Sequence, residues 1–384
     1  MKNLYDSQKR DDLIDVLRGL AIILVLMLHF HLSYPLVFSE HLSLNFIMNG
    51  NYGVTIFFVI SGYLISSNAL KRYGDLSQIN MKHFYFLRCA RILPPLVLAL
   101  IVISLFYALD FKSFTNSVYK EGIDNPSLGL TIFSVLTFWH NVMMDYYGYF
   151  NYAVNIYWSL SVEEFFYLIF PLTCLLLRKT QLIVFMLVGI VFIAPIYRYI
   201  NRKDEIIFMY SYLACFDSIA IGILVALVKN NIKSLPQKIY FRLSGLALMT
   251  YVYFILGIHG FEAIGFSLMS LGAGLVILSS DMEHFKSNIA TKIIAFLGSI
   301  SYELYLFHII ILGLMRNIIA PKTLSGFSSA CLLIVFLLCS VLVGYFIARF
   351  YSERINKMCR RYLSKATPIQ TNSLWIQNYR GIDE

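Results

Sequence analysis

Ten separate apolar runs, each long enough to cross a bilayer, limit what this chain can fold into. They lie at residues 13–33, 52–70, 92–110, 157–177, 181–200, 208–228, 240–258, 261–280, 292–316 and 326–350. A spanning helix takes about 20 mostly apolar residues, and lipid offers no partner for an unpaired peptide group. The pattern therefore predicts an all-α polytopic membrane protein with about ten transmembrane helices. Composition agrees, with 58% hydrophobic and 14% charged residues against roughly 45–50% and about 25% in soluble domains. Ten spans would use roughly 200 residues, which leaves no room for a large soluble domain. The first run is too long for the apolar region of a cleaved signal and reads as the first span.

The net charge of +9 would suggest nucleic acid in a soluble protein, but sorting the cations by loop gives another meaning. With the N-terminus inside, 21 Lys and Arg fall on the cytoplasmic side. Seven fall outside, namely Lys112, Lys120, Arg198, Arg202, Lys203, Arg316 and Lys322. That asymmetry is the positive-inside signature, so both termini are expected in the cytoplasm and no nucleic-acid partner is implied. The six cysteines form no CxxC pair and show no metal-ligand spacing. Residues 128–144 carry Thr131, Ser134, Thr137, His140 and Asn141 and read as re-entrant or interfacial. The outer segment around them, rich in Tyr and Asn, suits either an interfacial aromatic belt or a sugar-stacking platform.

Ionisable groups inside apolar runs cost about 2.5 to 3.5 kcal/mol each at a helix centre, so each asks for a reason. Arg18 and His29 are eleven residues apart, which puts them on one helix face with a rise of about 16 Å between them. An interfacial anchor and a hydrogen-bonded structural histidine would explain the pair equally well. In the fourth run, Glu163 and Glu164 follow Trp158-Ser159-Leu160-Ser161-Val162. Counted from the outer ends of their runs, Glu163 lies at a depth of about 9 Å and His29 at about 6 Å. A carboxylate at that level could fix the tautomer of His29 and support it as a general base. Snorkelling acids are the competing explanation. Ser301 and His308, seven apart, share a face, whereas Glu303 and His308 do not. Together with Asp217 they suit interhelical hydrogen bonding or the lining of a substrate path. Arg88 and Arg91 share a face before Pro94-Pro95, as anchors or as a guanidinium fork for phosphate. One decoy is His140 with Asp145, an H-x4-D pattern that arises by chance in about one such chain in four and is set aside.

Several of these residues recur as ordered motifs. Arg18 to His29 within Leu17-Arg18-Gly19-Leu20-Ala21 resembles an R-x10-H motif. Phe57 to Tyr63, containing Ser61, resembles F-F-x-I-S-G-Y, and Arg88 with Arg91 resembles R-x-x-R before a proline-marked helix. The block from Trp158 through Ser159, Glu163, Glu164 and Tyr167 to Pro171 resembles W-S-L-x-x-E-E-x-F-Y-x-x-x-P. Ser301-Tyr302 through Tyr305 to His308 resembles S-Y-x-x-Y-L-x-H. In this order, over about residues 13–350, the chain resembles the integral-membrane acyltransferase family 3, the bacterial sugar O-acyltransferases related to O-antigen and exopolysaccharide acetylases.

The resemblance implies acetyl-CoA or a similar acyl-CoA as donor, no metal, and a carbohydrate hydroxyl as acceptor, on a lipid-linked or nascent polysaccharide at the inner (plasma) membrane. It implies His29 as the catalytic base, with Arg18, Arg88 and Arg91 required and assigned here to the donor. Glu163 is expected to support His29, either as base or as transient acyl carrier. Ser61, Trp158, Ser159, Glu164, Asp217, Ser301, Tyr302 and His308 are expected substrate or structural residues. A basic residue that often precedes the acid of the Asp217 motif is missing here, which leaves Asp217 without an evident role. The acyltransferase domain is expected over 1–351. Residues 352–384 read as a short polar cytoplasmic tail without a fold of its own, too short for the SGNH hydrolase-like domain fused in some members. A homo-oligomer or an acyl-carrying partner protein is compatible with this reading. The rival reading is a transporter or flippase for a lipid-linked saccharide, though no inverted repeat supports it. A non-catalytic receptor would need no imidazole and carboxylate at one depth.

Overall fold

The computed structural model describes residues 12–34, 43–231, 238–280, 288–320 and 326–366, and these are helical with no strand among them. The long helices are α1 (Asp12–Ser33), α3 (Tyr52–Tyr73, preceded by the short α2, Ser43–Met48), α4 (Met81–Ala108), α7 (Trp158–Leu177) and α8 (Thr180–Ile200). They continue with α10 (Tyr212–Asn231, preceded by α9, Glu205–Tyr210), α11 (Lys238–Tyr251) and α15 (Gly326–Ile347). Among the described residues, eight helices are long and apolar enough to cross a membrane. A ninth span arises if α13 (Ile289–Ser299) and α14 (Ser301–Ile318), which meet at 76°, count as one. The expected tenth, at 261–280, is helical only over α12 (Gly265–Leu278). Its fourteen residues rise about 21 Å, short of the roughly 30 Å of hydrocarbon. The count of ten is therefore not reached by helix length alone.

Residues 128–144 do not form a span. They make α5 (Leu128–Leu136) and α6 (His140–Tyr147), two short helices broken at Thr137–Trp139, where Phe138 takes a φ of 63°. In the following loop, Asn151 accepts from the backbone N–H groups of Ala153 and Val154 and donates to Phe114 O and Asn116 Oδ1. The tail also differs from expectation. Glu353–Ala366 is a helix, α16, reached from α15 through a π-helical turn at Ala348–Ser352 and packed on α4. Ile355, Met358, Cys359, Tyr362, Leu363 and Ala366 recur at the helical period, a signal that a composition-based reading of the tail passes over. Residues 367–384 of the expected tail lie outside the described residues.

Between 61% and 72% of the spans containing α1, α3 and α10 is buried, against 17% in those of α8, α11 and α15. The first three helices therefore form the centre and the others face lipid. Small residues bring the central helices together, as expected where no hydrophobic effect drives helices to associate. At the α1–α13 crossing, a Cβ on Gly19 would sit 1.9 Å from Ile294 O and one on Gly298 1.8 Å from Asp15 O. At the α3–α10 crossing, Gly62 and Gly222 meet Ile219 O and Val59 O, each at 2.1 Å. No side chain fits at any of these four positions. The two crossings hold the Arg18 and Ser61 helices against the core.

Candidate active site

One partly open cavity collects most of the singled-out polar residues. It is lined by Arg18 of α1, Ser61 of α3, Arg88 and Arg91 of α4, Ser159, Glu163 and Glu164 of α7, and Ser301, Tyr302 and Tyr305 of α14. Its volume of about 120 Å³ compares with the roughly 10 to 15 Å³ that one water requires, so it has room for part of a ligand.

Each wall has a local cause. Tyr302 donates to Ile92 O at 3.0 Å and Tyr85 donates to Leu168 O at 2.6 Å, which lashes α4 to α14 and α7 and fixes the level of Arg88 and Arg91. The Arg88 guanidinium lies 4.6 Å over the ring of Tyr167. Tyr167 and Ser61 both donate to Glu163 Oε1, and their hydroxyls also touch each other. Arg18 pairs with Asp15 at 3.6 Å one turn earlier. Two polar atoms of the wall are buried without a hydrogen-bond partner among the described residues, Glu164 Oε1 and Ser301 Oγ. Glu164 is 7% exposed and Ser301 1%. Such atoms are costly in a finished structure and normally mark a place where a ligand or water completes the bonding.

His29 stands beyond this cavity, and its partner is not the expected one. His29 Nδ1 lies 3.1 Å from His308 Nε2, with ring centroids 5.0 Å apart, and His308 Nδ1 lies 3.0 Å from Leu304 O. Glu163, expected beside His29, is instead bound to Ser61 and Tyr167. The depth estimate failed because α7 does not begin at the membrane surface. At the end of α1, Ser33 meets Tyr152 at 2.5 Å. The chain then descends through buried Ala153, Val154, Ile156 and Tyr157. Tyr157 donates to Leu306 O and Tyr305 to Ile156 O, so α7 starts level with the second turn of α14. Glu163 is thereby carried about one turn toward Arg88 and away from the imidazoles.

Tyr305 connects the two halves. Its ring lies 5.9 Å from His308 while its hydroxyl is 2.6 Å from Ser159 Oγ in the cavity wall. On the far side of the His pair, the Arg316 guanidinium lies 4.4 Å over Tyr152. Trp158 is packed against Phe58 and Tyr210 and borders a separate crevice, not the cavity.

Asp217 is also outside the cavity. It is buried with Arg198, which donates to Asp217 Oδ2 at 2.8 Å and to Ser267 Oγ at 2.5 Å, and also to the carbonyls of Ala214 and Ala263. Arg198 is thus no outer-loop cation but the buried ion-pair partner of Asp217, supplied by α8. The decoy pair is separated: His140 is buried against Ser134 and Ser161, and Asp145 is exposed.

Sequence reasoning missed Tyr167, Tyr305 and Arg198. The first two carried a signal, since Tyr167 is four residues from Glu163, and Tyr305 falls between Ser301 and His308 on their shared face. Arg198 carried none, because its pairing with Asp217 joins helices whose register the sequence does not reveal.

Apolar helices thus surround a cavity lined by three guanidiniums and two carboxylates, with an imidazole pair beyond it. Residues 11–349 match the family described as Acyltransferase domain, acyltransferase family 3, and the chain belongs to it. It is similar to O-acetyltransferase OatA of Staphylococcus aureus strain NCTC 8325, with 29% identity over 294 residues, 70% of this chain and 47% of OatA. It is also similar to a protein of S. aureus strain COL named "Putative O-acetyltransferase", with 27% identity over 301 residues, 72% of this chain and 48% of that one. The chain thus spans about half the length of these relatives. No solved structure matches it.

Proposed function

We propose that the protein is a membrane O-acyltransferase that moves an acyl group, acetyl in the first instance, from acyl-CoA to a hydroxyl of a lipid-linked or nascent cell-surface carbohydrate. One observation carries this reading. The guanidiniums of Arg18, Arg88 and Arg91 border one cavity, and His29 stands about 16 Å further along the same face of α1 as Arg18. That separation suits a donor with anionic phosphates at one end and a thioester at the end of a long narrow arm. Arg88 and Arg91 hold the phosphates by bidentate contacts, and Glu164 and Ser301 take polar groups of the arm. His29 removes the proton from the acceptor hydroxyl as its oxygen bonds to the acyl carbon. The carbon–sulfur bond breaks, and the proton held by His29 passes to the departing thiolate. The positive-inside bias supports an orientation with the Arg end toward the cytoplasm and the imidazoles toward the outer face.

Kinetics on purified protein, varying acetyl-CoA and carbohydrate separately, test this. Arg88→Lys and Arg91→Lys keep the charge but lose the fork. Each should raise the acetyl-CoA requirement by about 1.5 to 3 kcal/mol, with little change for the acceptor. A raised acceptor requirement alone would move the donor site elsewhere.

A further inference from the structure

The contacts around the two imidazoles decide where their protons are. A backbone carbonyl only accepts, so His308 Nδ1, 3.0 Å from Leu304 O, must carry its ring proton. In a neutral ring, His308 Nε2 is then a bare lone pair. His29 Nδ1 faces that lone pair at 3.1 Å, and the His29 ring also donates to the backbone carbonyl of Val25 one turn earlier. Two lone pairs at this distance would repel, so His29 Nδ1 carries a proton and donates it. His29 Nε2 is left bare, and a base needs a bare nitrogen.

We infer that His308 is a positioning residue for acyl transfer: by accepting from His29 Nδ1, together with the Val25 carbonyl, it holds His29 in the one neutral tautomer whose Nε2 can take the acceptor's proton. This rests on the reading of His29 as the base. Several contacts fix His308 itself. It is fully buried, its ring lies 5.9 Å from that of Tyr305, and Tyr305 is pinned to Ile156 O and Ser159. Its role is the one the sequence pointed to for Glu163, performed by a neutral acceptor instead of a carboxylate.

The test has a spectroscopic and a kinetic arm. In ¹⁵N-histidine-labelled protein in lipid nanodiscs, His29 and His308, identified by loss of their signals in His29→Ala and His308→Leu, should both show the Nδ1–H tautomer. Kinetically, His308→Leu should lower kcat by about 10²-fold or more with an unchanged KM for acetyl-CoA. His308→Gln, whose amide oxygen can accept from His29 Nδ1, should recover at least tenfold of that loss. A His29 that carries its proton on Nε2 in the wild-type protein would overturn the inference. So would a His308→Leu enzyme with wild-type kcat while His29→Ala has none. An active His29→Ala enzyme would instead sink the assignment of the base, and the tautomer measurement on wild-type protein would still decide what His308 does.

Discussion

Arg198 shows how a single residue changes meaning once its neighbours are known. In the sequence it ends an apolar run and counts as an outside cation. In the bundle both it and Asp217 are fully buried and joined at 2.8 Å. Removing one member of such a pair strands a charge, at about 3 to 5 kcal/mol, whereas replacing both is far milder. Arg198→Met should therefore lower the thermal stability of the purified protein strongly, and Arg198→Met with Asp217→Asn should restore most of it. Equal melting temperatures for the single variant and wild type would contradict the clamp. Arg18, Glu163, Glu164 and Ser301 were legible as polar groups inside apolar runs, Arg88 and Arg91 as a fork before Pro94, and Ser61, Ser159 and Tyr302 only through the motifs of the resemblance. What each one touches was not legible. The Glu163 pairing failed because a depth counted along one helix assumes that every helix starts at the same plane.

Among the elements, the crossings of α1 with α13 and of α3 with α10 depend on glycines inside the sequence motifs themselves. Gly19 belongs to the segment that carries Arg18, and Gly62 follows Ser61 directly, so the same short stretches supply the site and its packing. Gly298→Ala places a methyl 1.8 Å from Asp15 O and should cost about 1 to 3 kcal/mol as α13 backs away. Arg18, one turn along from Asp15, should move with it and activity should fall. Gly189 of α8 has nothing within 4 Å of its would-be Cβ. Gly189→Ala should leave the melting temperature unchanged or raise it, since alanine favours helix by up to about 1 kcal/mol. Thermal unfolding of the two variants checks the contrast, and equal losses would show that the crossing is looser than described. Most of the long helices were readable from the length of their apolar runs. The 76° bend at Ile300, two residues after Gly298, was not.

For the whole molecule, the charge bias sets an expected sidedness and the structure gives the order of groups along the bundle. Arginines lie at one end, the His29–His308 pair further along, and Arg316 with Tyr152 beyond. In a background lacking the six native cysteines, a cysteine at Tyr147 should react with an impermeant thiol reagent from outside and one at Lys82 should not. Reversed labelling would invert the direction of transfer. In the proposed mechanism, proton acceptance by His29 is the step on which donor entry from one side and acceptor entry from the other both converge. Acyl transfer by purified His29→Ala protein, with its melting temperature measured alongside, tests it most directly. A loss of about 10² to 10⁴-fold or more in kcat at unchanged stability is the expected result, and wild-type transfer by a folded His29→Ala protein would contradict it.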